Sequence, residues 1–106
     1  ISEKSIYFDL DSYIISAEHK LIIEAHAKFL KNNSQAYIVI QGNTDERGGS
    51  EYNIALGQKR AESVRKMLIL IGVSDNQIEA VSLGKEKPKA LGHDEASWAI
   101  NRRADI

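Results

Sequence analysis

Two opposite charges fifteen positions apart, Asp45 and Arg60, are the residues of this chain whose chemistry is most informative. Asp45 follows an apolar run at 37–40 that is typical of a β-strand, and ligands of α/β sheets usually bind where strands end. A carboxylate can take an ammonium group, and a guanidinium can clamp a carboxylate through two parallel hydrogen bonds. Held apart around one site, these two residues would therefore receive a zwitterion.

A long helical pattern must position Arg60. Asn53, Leu56 and Arg60 are spaced i, i+3 and i+7, so they share one side of that helix. This side borders the helix's buried stripe, which would let Arg60 lie against the sheet and point towards the loop of Asp45. Backbone N–H groups at 42–44 and at the helix start could add donors. The alternative is a structural ion pair between Asp45 and Arg60, with Asn53 as a capping or solvent-facing residue.

Two other groups could suggest metal binding. Asp9-x-Asp11 resembles the start of a calcium loop, but the twelfth position counted from Asp9 is Lys20 instead of the required glutamate. An acidic turn is the better interpretation. His19 and His26 are seven residues apart, which does not match the i, i+4 spacing of a helical metal pair, and His26 is expected to be packed.

The sequence contains little that would support a catalytic or a nucleic-acid-binding function. His93 lies in a predicted loop without a neighbouring nucleophile, and no Walker, G-x-S-x-G or H-E-x-x-H motif occurs. We therefore expect no enzymatic activity, cofactor or metal. The run Asn101-Arg102-Arg103 would ordinarily be solvated surface and gains interest only if it lies beside the loop of Asp45. With 14 basic against 15 acidic residues, the chain lacks the excess of positive charge that phosphate binding requires.

The bulk composition indicates one ordered domain over residues 1–106. A chain of 106 residues can build one core, and 42% hydrophobic with 27% charged residues is average for a globular protein. No apolar run approaches the ~20 residues of a membrane span. Cysteine is absent, so disulfides and thiol chemistry are excluded. No signal peptide is visible, so we expect a mature chain or an excised domain.

The hydrophobic periodicity predicts an α/β architecture, an α+β sandwich of about four strands in a mixed βαβαβ-type sheet with helices packed on one face. The predicted strands cover 5–8, 36–41, 78–83 and 102–106. Ser16 is the predicted N-cap of a first helix that runs to about Lys31, and the other predicted helices cover 50–71 and 94–100. Ile22, Ala25 and Phe29 are expected to form the buried stripe of the first helix.

The second helix has its own buried stripe, predicted at five apolar positions: Ile54, Ala61, Val64, Leu68 and Ile71. Gly57 lies on the same stripe and is expected to permit close approach of helix and sheet, because glycine otherwise costs up to ~1 kcal/mol in a helix. Gly72 fits the residue after the helix end, where a left-handed conformation is common.

Six ordered sequence blocks resemble the peptidoglycan-associated lipoproteins (Pal), a branch of the OmpA-like C-terminal domain family. The resemblance covers essentially the whole chain. The blocks are Phe8-Asp9-x-Asp11, GNTDERG at 42–48, EYNIALGQKRA at 51–61, SLGKEKP at 82–88, GHDEASW at 92–98 and NRRADI at 101–106. The resemblance implies an OmpA-like fold and a domain that binds peptidoglycan noncovalently through the meso-diaminopimelate of its peptide stem.

The resemblance also implies roles for individual residues. Asp45 would take the ammonium of diaminopimelate and Arg60 its carboxylate. The other matching positions of the family pocket are Phe8, Asp9, Asp11, Thr44, Asn53, Leu56 and Arg103. The family partner TolB is expected to overlap the same site, with rim contacts at Glu46, Arg47, Lys85 and Lys87.

The implied location is the periplasmic face of the outer membrane of a Gram-negative bacterium, with lipid anchoring and a role in the Tol-Pal system during division. The family's lipidated cysteine is absent, so we expect the domain without its anchor. Two other binding roles remain open: a module that mainly binds TolB, and another OmpA-like anchoring domain such as that of a flagellar stator. A wall-degrading enzyme would need a nucleophile, a metal or paired catalytic carboxylates, and Asp9 and Asp11 are the only nearby carboxylate pair.

Overall fold

One of the two inner strands of a four-stranded sheet, at 38–43, ends at the predicted site. The computed structural model describes residues 3–106. The strands are β1 (Ser5–Tyr7), β2 (Ile38–Asn43), β3 (Ile78–Gly84) and β4 (Arg103–Asp105). Their spatial order is β1-β4-β2-β3, with β2 and β3 parallel and β4 antiparallel to both β1 and β2. The predicted mixed four-stranded α+β architecture is confirmed, although β2–β3 is its one parallel pair in the described chain.

Three helices complete the fold: α1 (Lys20–Asn32), α2 (Ser50–Ile71) and α3 (Glu95–Asn101). Short 3₁₀ turns at Ala17–His19 and Asp75–Gln77 precede α1 and β3. α1 and α2 pack together over one face of the sheet, and one core joins them to it. Its fully buried aliphatic side chains include Ile6, Ile23, Ile40, Val64 and Leu68. Within residues 3–106, no helix has the length and apolar character needed to cross a membrane.

The predicted buried stripe of α1 is wrong by one residue. Ile23, Ala27 and Leu30 are buried, whereas Phe29 is 50% exposed. Neighbouring positions are both apolar at 22–23 and 29–30, so two stripes about 100° apart fitted the helical period equally well. His26 is packed as predicted, and its Nε2 lies 2.7 Å from the Glu3 carbonyl oxygen.

The predicted stripe of α2 is correct in its centre and wrong at its start. Ala61, Val64 and Leu68 are fully buried, Ile71 is half-buried, and Ile54 is 45% exposed. α2 ends as predicted at Gly72, whose φ is +117°.

Two glycines bring α2 into direct contact with β2. A Cβ at Gly42 would lie 1.7 Å from the Gly57 carbonyl oxygen, and one at Gly57 would lie 2.9 Å from the Gly42 oxygen. The predicted close approach at Gly57 is thus confirmed. Since Arg60 follows Gly57 by one helical turn, this contact holds Arg60 beside the end of β2.

Candidate functional site

A cavity of about 240 Å³ lies between the loop after β2, the first half of α2 and the 10–12 turn. Six of the predicted binding residues line it. They are Asp11, Thr44, Asp45, Asn53, Leu56 and Arg60. The wall is completed by Leu10, Arg47, Gly48 and Tyr52.

Arg60 is among the most deeply buried side chains of the chain, at 1% exposure. Its guanidinium donates to three backbone carbonyls, of Ser12 at 2.8 Å, Asn43 at 3.0 Å and Asp9 at 3.1 Å. It also lies 5.4 Å from the centre of the Phe8 ring. These bonds use three of the five N–H donors of an arginine and leave two for a further partner.

The charge of Arg60 is not neutralised by a neighbouring carboxylate. None of the ion pairs formed within residues 3–106 includes Arg60. Burial lowers its pKa to about 10, and the charge of Arg102 adds to this effect. At neutral pH the group is therefore a cation that is desolvated without an ionic partner. Such a charge is costly unless an anion binds to it.

Asp45 is equally enclosed, at 5% exposure, but it is paired. The Arg47 backbone N–H and Nε donate to Oδ1 at 2.9 and 3.2 Å, and Arg47 Nη2 donates to Oδ2 at 2.9 Å. Arg102 Nη1 lies 3.8 Å from the same Oδ2. Burial raises the pKa of Asp45, but the Arg47 hydrogen bonds and both arginine charges outweigh burial and hold this pKa below its usual value.

Backbone and amide contacts hold the loop of Asp45 in place. The Thr44 N–H donates to the Gly84 carbonyl at 2.9 Å, and the Asn53 amide donates to the Arg47 carbonyl at the same distance. Asn53 is 2% exposed. The alternative of a solvent-facing Asn53 is therefore wrong, because this residue fastens the loop to α2.

The alternative of a structural ion pair between Asp45 and Arg60 is also wrong. Each residue uses other groups as its partners, while both line the same cavity. The site thus presents an uncompensated cation and a paired carboxylate across one space.

Three predicted site residues do not line this cavity. Phe8 is buried beside Arg60, Asp9 contributes its backbone carbonyl to Arg60, and Arg103 donates to Asp105 Oδ2 at 2.9 Å. The preceding residue, Arg102, is the one that approaches Asp45. Consecutive residues at the start of a strand point in different directions, and sequence alone does not say which arginine faces the loop.

The predicted partner rim contains a connected set of side chains beside the cavity. Arg47 stacks on Trp98 with 4.1 Å between its guanidinium carbon and the ring centre. Glu46 accepts a hydrogen bond from Trp98 Nε1 and pairs with His93 Nδ1, both at 2.7 Å, and these contacts lower its pKa. Lys85 donates to the Gly48 carbonyl at 2.9 Å. Lys87 is exposed.

Sequence reasoning missed three residues of the cavity wall, Leu10, Gly48 and Tyr52, and it did not assign Arg102 to the site. Tyr52 donates its hydroxyl to Asp11 Oδ1 at 2.7 Å and closes one side of the cavity. Its spacing of four residues before Leu56 places it on the same helix side, and this signal was available in the sequence.

The acidic turn predicted at 9–12 is confirmed: Ser12 N–H donates to the Asp9 carbonyl, and Asp11 has a φ of +56°.

The calcium alternative gains no support from this turn. In the described part of the chain, no three His, Cys, Asp or Glu side chains gather as metal ligands would.

Comparison with known proteins identifies the family. Residues 7–102 match the OmpA family. Over 100 residues the chain is 51% identical to the peptidoglycan-associated lipoprotein of Pasteurella multocida, and the match covers 94% of this chain and 67% of that protein. Over 102 residues it is 50% identical to the protein of the same name from Pseudomonas aeruginosa, with 96% and 60% covered. The chain thus spans about two thirds or less of the length of these curated relatives.

A solved structure agrees in detail. The crystal structure of the peptidoglycan-associated lipoprotein from Burkholderia pseudomallei superposes with a TM-score of 0.97. The two chains are 64% identical, and the match covers 98% of this chain and 88% of that one. The chain belongs to the OmpA family and, within it, to the peptidoglycan-associated lipoproteins.

Proposed function

We propose that residues 1–106 form one noncovalent peptidoglycan-binding domain that recognises meso-diaminopimelate in the peptide stem. The observation that carries this proposal is Arg60, a buried cation without a paired anion that lines the same cavity as Asp45. Meso-diaminopimelate ends in a carbon that bears both an ammonium and a carboxylate. The carboxylate would receive the two N–H donors that Arg60 does not use internally, and the ammonium would bind Asp45.

Binding of the ammonium requires Arg47 to give up part of its contact with Asp45. Arg47 is the more exposed member of the pair, with 35% of its side chain accessible, so it can leave at a lower cost than a buried group. The Arg47 backbone N–H would keep its hydrogen bond to Oδ1 during the exchange. The ligand's methylene groups would pack on Leu56, and Asp11 and Thr44 are further polar groups in reach.

The domain would serve as an anchor rather than a catalyst. Its relatives are named peptidoglycan-associated lipoproteins. We infer that this protein likewise ties the outer membrane of a Gram-negative envelope to the wall from the periplasmic side, through a lipid anchor.

The affinity of a single site should be low. Charge-assisted hydrogen bonds contribute ~1.5–3 kcal/mol each to binding, and desolvation and ordering offset much of this. A single site would bind weakly, and many anchored copies facing a repetitive wall would hold firmly.

A protein partner, TolB of the Tol-Pal system, would use the rim of the same site. Arg47 belongs both to the cavity wall and to the rim set of Glu46, Arg47, Lys85 and Lys87. Partner and wall would therefore compete. The alternative function is a module that mainly binds TolB, which would bind this partner and ignore muropeptides.

The proposal is tested by calorimetric titration with two muropeptides that carry meso-diaminopimelate or lysine at the same position. Lysine keeps a side-chain ammonium and lacks the second carboxylate. We expect binding of the diaminopimelate peptide alone, because Arg60 reads that carboxylate. Equal binding of both would remove Arg60 from its role, and binding of neither would favour the TolB module.

A further inference from the structure

We propose that Arg102 is the fixed counter-ion of Asp45, a positioning residue that holds this carboxylate when the ligand's ammonium displaces the side chain of Arg47. The inference rests on the proposed function, and it concerns the neighbour of Arg103, the arginine that the resemblance had placed among the pocket residues. It follows from the different burial and anchoring of the two arginines beside Asp45.

The two arginines differ in how easily they can leave. Arg47 has 35% of its side chain accessible and approaches Asp45 from the loop. Arg102 has only 10% accessible and approaches from the junction of α3 and β4. A ligand that enters through the cavity can exchange with Arg47, because Arg47 lines the cavity and Arg102 does not.

Arg102 is held by hydrogen bonds that do not involve Asp45. Its Nε donates to the Phe8 carbonyl at 2.9 Å, and its Nη2 donates to Glu95 Oε1 at 2.9 Å. These two bonds fix the plane of the guanidinium. The position of Arg102 is therefore set by the residue after β1 and by α3, independently of what occupies the cavity.

The third nitrogen of Arg102 is the one that faces Asp45. Nη1 is buried and has no hydrogen-bond partner among residues 3–106, and it lies 3.8 Å from Asp45 Oδ2. That separation is within reach of an ion pair and longer than a hydrogen bond of about 2.9 Å. A movement of about 1 Å by the carboxylate would form the bond and satisfy a donor that is costly to leave unpaired.

Displacement of the Arg47 side chain by the ligand would cause this movement of the Asp45 carboxylate towards Arg102. Arg47 Nη2 now holds Oδ2 on the loop side, and a ligand ammonium would replace it from the cavity side. During this exchange, a carboxylate at 5% exposure needs a cation that stays in place. Arg102 is such a cation. The ligand's ammonium can therefore replace Arg47 at Asp45 without a step in which the buried carboxylate is unpaired.

The proposal is tested by calorimetry with the diaminopimelate muropeptide on the full chain and three variants. Arg102→Gln should weaken binding about tenfold or more, since it removes a charge-assisted contact of about 1.4 kcal/mol or above. Arg102→Lys should restore part of the affinity. Arg65→Gln is the matched control, because it removes a partly buried arginine that bonds the Ile78 carbonyl and does not line the cavity; its affinity should stay within about twofold of the unmodified chain.

A second readout separates positioning from mere structural support. The side-chain carboxyl ¹³C signal of Asp45 is titrated in Arg47→Gln, which imitates displacement, and in Arg47→Gln/Arg102→Gln. We expect Asp45 to titrate at a higher pH in the double variant, and Arg47→Gln/Arg102→Lys to reverse most of the change. This measurement uses no ligand. It therefore tests the role of Arg102 separately from the proposed function, which fails if the muropeptide does not bind the unmodified chain. Unchanged titration, or an affinity of Arg102→Gln within twofold of the unmodified chain, would overturn the inference.

Discussion

Asp45 and Arg60 line one cavity from two different elements, and neither is the partner of the other. Asp45 is held by Arg47, and Arg60 donates only to backbone carbonyls. In an ordinary salt bridge each charge satisfies the other, and nothing remains for a ligand. Here the cation lacks an anion and the carboxylate has a replaceable partner, which suits a zwitterion that brings both charges.

Replacing Asp45 by asparagine should remove binding and preserve the fold. The amide keeps the size of the side chain but cannot pair with an ammonium, so we expect a loss of at least about tenfold in muropeptide affinity. Calorimetry measures the affinity and thermal unfolding checks the fold. Asp75→Asn is a suitable control, because Asp75 is an exposed carboxylate outside the cavity. Unaltered binding by Asp45→Asn would contradict the assigned role.

Arg60 should tolerate neither alanine nor lysine, for different reasons. Alanine leaves three carbonyls without their donor, and we expect a loss of ~2–4 kcal/mol in the free energy of unfolding. Lysine keeps the charge but has no planar fork, so muropeptide binding should drop by about tenfold or more while the protein still folds. Denaturant unfolding and calorimetry measure the two effects. A lysine variant with full affinity would show that a point charge suffices and that the fork is not used.

Trp98 should report on the cavity, although it does not line it. It is the single tryptophan of the chain, and Arg47 stacks on its ring at 4.1 Å. If a ligand displaces Arg47 from Asp45, the surroundings of the indole change. We expect the fluorescence of Trp98 to change in a saturable way on titration with the diaminopimelate muropeptide, and Arg47→Gln to remove most of that change. A ligand that binds by calorimetry without altering the fluorescence would mean that Arg47 stays in place.

The contact between α2 and β2 should make Gly42→Ala severely destabilising. The added Cβ would meet the Gly57 carbonyl at 1.7 Å, and neither backbone can yield without separating helix and strand. We expect a loss of roughly 3 kcal/mol or more in the free energy of unfolding, at the upper end of overpacking effects. Gly49→Ala is the matched control, since a Cβ at Gly49 meets nothing within 4 Å. Similar losses in both variants would exclude the contact as the cause.

Acid should weaken the fold partly through Asp45. Because its pKa in the folded protein lies below the unfolded value of about 3.9, the ionised form stabilises the fold. That contribution is complete above the unfolded pKa and is lost as the pH falls through the folded one. The free energy of unfolding should therefore decrease more steeply below about pH 4 in the unmodified chain than in Asp45→Asn. Denaturant titrations between neutral pH and pH 2 compare the two slopes, and parallel curves would contradict the shift.

The long α2 helix and the sheet could be predicted because their signals are redundant. Twenty-two residues of helical period end at a glycine in both the prediction and the structure. α1 offered two equally apolar stripes, and only packing into the common core buries Ile23 fully and leaves Ile22 partly exposed at its edge. Local patterns cannot make that choice.

The sequence predicted most of the residues that line the cavity, but it did not predict which groups they bond to. Asp45 and Arg60 follow from charge, spacing and resemblance, but the partner of each is set by tertiary structure. Arg47 appeared to be a rim residue and proves to hold Asp45, while Arg103 turns away and Arg102 approaches. Which of two adjacent arginines faces a loop depends on the register between β4 and β2, and Asn43 pairs with Arg103 there.

The sheet order has a mechanical consequence for a tether. β1 and β2 are both antiparallel to β4, so they run in the same direction, and the cavity lies beyond their carboxyl ends. Under the proposed anchoring and ligand binding, a pull through the start of β1 against a ligand held at Arg60 would act along the strands. The hydrogen bonds between β1 and β4 would then resist together in shear instead of opening one after another. Resistance to force depends on the rate of unfolding, so a domain arranged in this way could withstand brief envelope strain beyond what its equilibrium stability suggests.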